Sequence, residues 1–289
     1  MLFRSPARTP THRTRPILKP LDAIYQARAV PPGTARYWSW LFAAPASRPP
    51  LLGIFALGAE WQALIDPSTE SAVAQLKLAW WHEEIQRLIS GSAVHPITAY
   101  LASLPRAAAA GFTPLLAALN AAAVQMSGVP LERGADLEPH AQALWGDPLA
   151  LVSRLACEVA DESGLRDCTR ALAAADFLSR SIRDYRREAR AGRVPFAVDE
   201  LLAAGVENAD LNADTPPPHL LDYLERLRGR AADYFDAAAK ALPRLQRTPH
   251  RHLLVLAALG RDQLLRPTPG RRRLRDMLLA WTAARRAHR

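Results

Sequence analysis

The sequence predicts an all-α fold, and three observations carry that reading. Ala and Leu dominate a chain of 289 residues that is 49% hydrophobic, and both residue types favour helices. The long Val/Ile/Thr alternations that mark half-buried strands are missing. The 24 prolines fall mostly between apolar-periodic stretches, where helix breakers belong.

The elements follow in order. Residues 21–32 read as a short helix stopped by Pro31-Pro32-Gly33, and 34–45 as an aromatic helix, TARYWSWLFAAP. Residues 49–66 form an apolar helix with proline at its start and Asp66-Pro67 at its end. Ser68 is placed to cap the next helix, which stops at Gly91. There Val73, Leu76, Trp80, Ile85 and Leu88 suggest a buried stripe, with Trp80 in the core and Glu84 on a solvated face. His95-Pro96 opens a shorter helix. Further helices fit 114–126, 138–145, 147–162, 165–191, 216–240 and 249–265, with a loop from Gly205 to Pro218. A last helix, 270–287, carries Leu274, Met277, Leu278 and Trp281 at i, i+3, i+4 and i+7. No repeat or linker divides the body. The expected organisation is a basic disordered tail (1–20), one domain (21–269) and a basic amphipathic C-terminal helix (270–289).

The net charge of +9 is unevenly spread. Residues 1–20 carry +5 and residues 266–289 carry +7, leaving −3 on the body. The body is therefore not a basic nucleic-acid-binding domain, and any attraction to an anionic membrane surface lives in the tails. The Arg/Thr-rich leader holds Pro6, Pro10, Pro16 and Pro20, which oppose an amphipathic targeting helix. Cys157 and Cys168 have no ligand spacing, so a reducing compartment is expected. No apolar run is long enough to span a bilayer. The expected location is cytoplasmic, with peripheral contact on the inner membrane face.

The stretch from Ala171 to Leu202 is the most informative. Asp184 and Glu188 are four residues apart and share a helix face. Carboxylates so placed suit magnesium, a hard cation often held by one or two carboxylates plus substrate phosphates. Arg183, Arg187 and Arg193 add candidate phosphate contacts. On spacing alone, an exposed helix with ordinary salt bridges is the commoner outcome. His250 and His252 are poor co-ligands at a spacing of two, and His140 stands alone. No P-loop, GxGxxG, GxSxG or zinc pattern occurs.

The string Arg183-Asp184-x-x-x-Glu188-Ala189-Arg190-x-Gly192-Arg193 resembles the second aspartate-rich motif, RDxxEDxxRGR, of the squalene/phytoene synthase family. Pro195 and Asp199-Glu200-Leu201 resemble its continuation. Arg48 and the following PPLLGIFAL resemble the arginine leading into the family's YAF segment. The resemblance covers roughly residues 30–265. It implies a single-domain, isoprenoid-synthase-type helical bundle around a central elongated cavity. It also implies magnesium-dependent head-to-head joining of prenyl diphosphates, with diphosphate contacts at Arg48, Arg183, Arg187 and Arg193 and magnesium ligands at Asp66, Asp184 and Glu188.

The departures concern charge. The family's first motif, DDxxD, falls on Gln62, Ala63 and Asp66, so two of three carboxylates are missing. The family's Gln and Asn before the second motif fall on Phe177 and Arg180, and its inner Glu on Arg187. Weak metal trapping is expected, whereas arginines alone can bind a diphosphate. The segment Ala56–Trp61, with Glu60, resembles a degenerate branch of the family that includes a mitochondrial complex I assembly factor. The expected function is an isoprenoid-binding or assembly role with impaired synthase activity. The alternative is an active magnesium-dependent prenyltransferase. Expected partners are a prenyl diphosphate or other isoprenoid, an anionic membrane surface and a protein partner, with no nucleic acid.

Overall fold

A computed structural model describes residues 21–66, 68–159, 162–266 and 273–287. The tail expected at 1–20, residues 267–269 of the expected domain and residues 270–272 of the expected last helix lie outside them. Among the described residues there are α-helices and no strands. The N-terminal half runs α1 (Ala23–Ala29), α2 (Ala35–Phe42), α3 (Arg48–Ile65), α4 (Ser71–Ile89) and α5 (Pro96–Ala102). It continues with α6 (Ala107–Ala110), α7 (Thr113–Ser127), α8 (Leu137–Ala141), a π-helical turn (Gln142–Gly146) and α9 (Asp147–Ala156). The C-terminal half holds α10 (Glu162–Arg190), α11 (Val198–Ala204), α12 (Asn208–Asn212), α13 (Pro218–Ala241), α14 (Arg244–Arg247), α15 (Arg251–Leu265) and α16 (Arg273–Arg286).

Two helices organise the bundle. The first half of α3, from Pro50 to Leu57, is buried all round, as expected of a helix without a solvent face. The middle of α10 buries Ala171, Leu172, Ala173, Ala174, Ala175 and Leu178. Those small side chains let α10 pack closely along α13, and its other faces meet α8, α9, α15 and the π turn. No helix of the described residues is long and apolar enough to cross a membrane.

Several expectations are corrected. On α4 the buried face is Ala74, Trp81, Ile85 and Leu88, whereas Val73, Leu76 and Trp80 are exposed. The expected stripe joined two faces: at 100° per residue, Trp80 and Ile85 point about 140° apart. Trp81 lies inside, edge-on against Trp61 of α3, while His95 meets both Trp80 and Trp81. Glu84 is fully buried rather than solvated. Its carboxylate accepts from the Val94 and His95 amides, the Thr98 hydroxyl and the Arg87 guanidinium. Ser68 does not cap α4. Its amide and hydroxyl both donate to Asp66 Oδ1, at 2.9 and 2.7 Å. The stretch read as one helix over 147–162 ends at Ala156, and Cys157 is extended. The loop from 205 to 218 contains α12, closed by a capping box between Glu207 and Asp210.

Candidate functional site

A cavity of about 340 Å³ lies between α3, α7, the α8–π-turn segment and α10. On α3, Gly58, Gln62 and Asp66 line it at successive turns. On α10, Asp176, Arg180, Asp184 and Glu188 do the same. The two stripes meet directly: Arg180 donates to Gln62 Oε1, and Arg187 Nη1 lies 3.3 Å from Asp66 Oδ2. Sequence spacing therefore brings Asp66, Asp184 and Glu188 to one site, with Gln62 one turn below Asp66. Ala63 is exposed and lies off this wall.

The outer end is a closed ion-pair network. Arg187 reaches Asp66, Asp184 at 3.9 Å and Glu188 at 3.5 Å. Arg183 holds Asp184 at 2.8 Å. Arg193 lies 3.6 Å from Glu188 and donates at 2.6 Å to the Ile65 carbonyl, an orphan acceptor at the end of α3. Gly192, at φ +74°, ends α10 in the left-handed conformation and turns Arg193 back to the site. Three guanidinium groups thus face three carboxylates. Hydrogen bonds from Ser68, with Arg187 and Arg193 nearby, hold the Asp66 carboxyl below its usual range. Burial pushes the Glu188 carboxyl up, against the pull of Arg193 and Arg187.

These three carboxylates do not fit the magnesium expectation as arranged. Among the described residues no group of three His, Cys, Asp or Glu side chains is placed to hold a metal ion. The physical reason is Arg187, whose guanidinium stands between Asp66, Asp184 and Glu188 as their counterion.

The structure places Arg48 apart from this cluster. It sits at the first turn of α3, fourteen residues before Gln62 and outside the cavity lining. Its guanidinium donates to the carbonyls of Leu41 and Ala43, fastening the end of α2 to the start of α3.

The inner end holds side chains that sequence reasoning did not assign to a site. The π turn brings Leu144 and Trp145 into the wall. Gly58 makes room for the Trp145 ring, since a Cβ there would stand 2.8 Å from it. Arg36 of α2 lies over the Phe55 and Trp145 rings, 5.6 and 5.3 Å from their centroids. Burial, then Arg180, lowers its guanidinium to about 10 against the pull of Asp176, so it stays charged at neutral pH. Asp176 pairs with Arg180 at 2.7 Å. His140, edge-on to Phe177 at 5.4 Å, also lines the cavity, and burial lowers its pKa. The signal for Arg36 was a lone cation inside the aromatic stretch RYWSWLF.

The family model described as squalene/phytoene synthase matches residues 31–270. Among solved structures, a dehydrosqualene synthase in complex with ligand superposes with a TM-score of 0.73 at 14% identity, covering 91% of this chain and 95% of that one. The squalene synthase HpnC from Alicyclobacillus acidocaldarius gives 0.63 at 17% identity, covering 90% and 92%. No curated protein sequence matches the chain. The helical architecture, the facing α3 and α10 and a family match over most of the length lead to one conclusion: the chain belongs to the squalene/phytoene synthase family.

Proposed function

We propose that the cavity binds a prenyl diphosphate or related isoprenoid and that head-to-head synthase activity is impaired or absent. The observation that carries this reading is Arg187 bridging Asp66, Asp184 and Glu188. A magnesium ion would have to displace that guanidinium, with Gln62 and Ala63 offering no charge in compensation. A diphosphate faces a lower barrier, because Arg183, Arg187 and Arg193 can exchange carboxylate oxygens for phosphate oxygens. Inside, Arg36 and Arg180 would raise the energy of any carbocation, the reverse of the stabilisation such chemistry needs. The chain's residues therefore suit holding the ligand better than ionising it. A binding role is compatible with an assembly function through a protein partner.

The test is incubation of the full chain with farnesyl and geranylgeranyl diphosphates, with magnesium or with EDTA. Expected are binding that survives EDTA and no extracted squalene, phytoene or presqualene diphosphate. Robust magnesium-dependent formation of any of these establishes the alternative, an active prenyltransferase.

A second element of the proposal is contact with an anionic membrane surface through α16. The helix docks on Val255, Leu259 and Trp38 through Ala280 and Ala284, with Met277 packed alongside. Leu274, Leu278 and Trp281 remain 74%, 55% and 44% exposed. Arg285 lies over the Trp281 ring at 4.6 Å. An apolar stripe with a cation at its edge matches the chemistry of an anionic lipid interface.

A further inference from the structure

The charges lining the cavity are not evenly matched. At the outer end each arginine has a carboxylate partner. At the inner end Arg36 and Arg180 share one acid, Asp176, which pairs with Arg180 and acts on Arg36 only from beyond ion-pair distance. Among the described residues no carboxylate stands within ion-pair distance of Arg36. Its neighbours are the π faces of Phe55 and Trp145. Aromatic faces only partly replace an anion, so a partly buried cation that lines the cavity with no carboxylate in ion-pair range carries a cost. A chain evolved only to receive a hydrocarbon tail would do better with an apolar side chain here. Groups kept at such a cost concentrate at binding sites.

The place of Arg36 is also set. It lies at the level of Gly58, through Trp145, while the outer network lies at Asp66. Eight residues of α3 separate these levels, about 12 Å at 1.5 Å per residue. We infer that the inner end of the cavity is a subsite for an anionic group, a carboxylate or a phosphate, held by Arg36 with Arg180 as its neighbour. The ligand is then an apolar chain that carries a second anion on the end entering the cavity. This rests on the proposed isoprenoid-binding reading for the outer end, and deepens it by naming the chemistry of the inner one.

The experiment is calorimetric titration of the full chain with dodecanol, dodecanoate, dodecanedioate and farnesyl diphosphate. The two carboxylates of dodecanedioate can span the separation between the ends. Wild type should bind dodecanedioate at least about tenfold tighter than dodecanoate, a margin set by one added charge contact. Arg36→Met should erase that margin while leaving dodecanol binding unchanged or stronger. Arg36→Lys should keep part of it. Arg36→Met should also melt no lower than wild type without ligand, a result a purely structural arginine would not give. If Arg36→Met fails to fold, Arg36→Gln serves the same comparison. Equal affinities for the two acids in wild type, an undiminished margin in Arg36→Met, or no binding of any probe overturns the subsite. Farnesyl diphosphate separates the two readings. Its failure to bind beside an Arg36-dependent dodecanedioate margin sinks the isoprenoid reading and keeps the subsite, and the reverse pattern does the opposite. A dodecyl phosphate arm tells which anion the subsite prefers.

Discussion

At Arg187 a single side chain would decide between two ways of holding the proposed diphosphate. Its guanidinium is half exposed and touches Asp66, Asp184 and Glu188. With arginine there, phosphate contacts would come from protein cations. With glutamate there, four carboxylates would crowd one end of the cavity and demand a divalent ion. Arg187→Glu is therefore expected to weaken binding of farnesyl diphosphate in EDTA by about tenfold or more, roughly 1.4 kcal/mol per decade. The same variant should gain a magnesium dependence that wild type lacks. Arg226→Glu on α13, outside the cavity lining, is the control and should change affinity less than about twofold. Titrations with and without magnesium check all three. Equal losses in the two variants would remove the diphosphate from this end of the cavity. Much of this was legible in the sequence, because i, i+4 spacing is enough to put Asp184 and Glu188 on one face. What spacing did not show is that Arg187 neutralises them. That depends on α3 standing opposite α10, a contact between residues 121 positions apart.

The helices show the same division between local pattern and tertiary placement. The ends of α3 were readable from Pro49, Pro50 and Pro67, since proline acts through its own ring and missing N–H. Which face of α4 is inside was not, because both Val73-Leu76-Trp80 and Trp81-Ile85-Leu88 are apolar. The edge-on contact of Trp81 with Trp61 of α3 distinguishes the two faces, since His95 meets both Trp80 and Trp81. Helix α16 is a parallel case: its stripe reads as one amphipathic face, but Ala280 and Ala284 take the core side and leave Leu274, Leu278 and Trp281 outside. Their exposure makes a clean test possible without unfolding the helix. Replacing all three by serine should leave the melting temperature nearly unchanged. It should reduce flotation with phosphatidylserine-containing liposomes severalfold, since burying such side chains is worth about 25 cal/mol per Å². Wild-type flotation should also fall at high salt, which screens the basic residues. Flotation by the triple-serine chain equal to wild type, or indifferent to lipid charge, would end the membrane role of α16.

Across the whole molecule, stability against acid is expected to depend on buried groups outside the cavity lining. His250 and His252 flank Arg251 at the start of α15, where Arg251 donates to the Phe42 and Ala43 carbonyls and Ser47 to the Pro249 carbonyl. This joint fastens α15 to the α2–α3 corner. Both imidazoles are buried, and neither ring nitrogen of His252 has a hydrogen-bond partner among the described residues. Burial lowers His250 to about 4. Burial, with His250 and Arg251 adding to it, lowers His252 to about 3. Both folded values lie below the ordinary value of about 6.5. Each histidine then binds a proton on unfolding before it can in the fold, so its stability contribution is complete above about pH 6.5 and is lost as pH falls toward about 4 and 3. At pH 5 the pair should cost on the order of 4 kcal/mol, from 1.36 kcal/mol per unit for each ring. That is a large share of the roughly 5–15 kcal/mol that holds a domain folded. Glu84 adds to the loss only lower down. Burial pushes it up, but the bonds from Thr98, the His95 amide, Arg87 and the Val94 amide prevail and bring it to about 2. Its contribution is therefore lost as pH falls from its ordinary value of 4.5 toward about 2, a window that overlaps only the lower part of the histidines' own. Urea unfolding followed by circular dichroism should show a marked fall in midpoint between pH 7 and pH 5. His252→Leu should flatten about half of that fall, because it removes one of two titrating rings and leaves an apolar side chain in an apolar place. A wild-type midpoint that stays level from pH 7 to pH 5 would mean that the rings take up protons equally in the folded and unfolded chain and would remove the argument, whereas a midpoint that rises would reverse its sign.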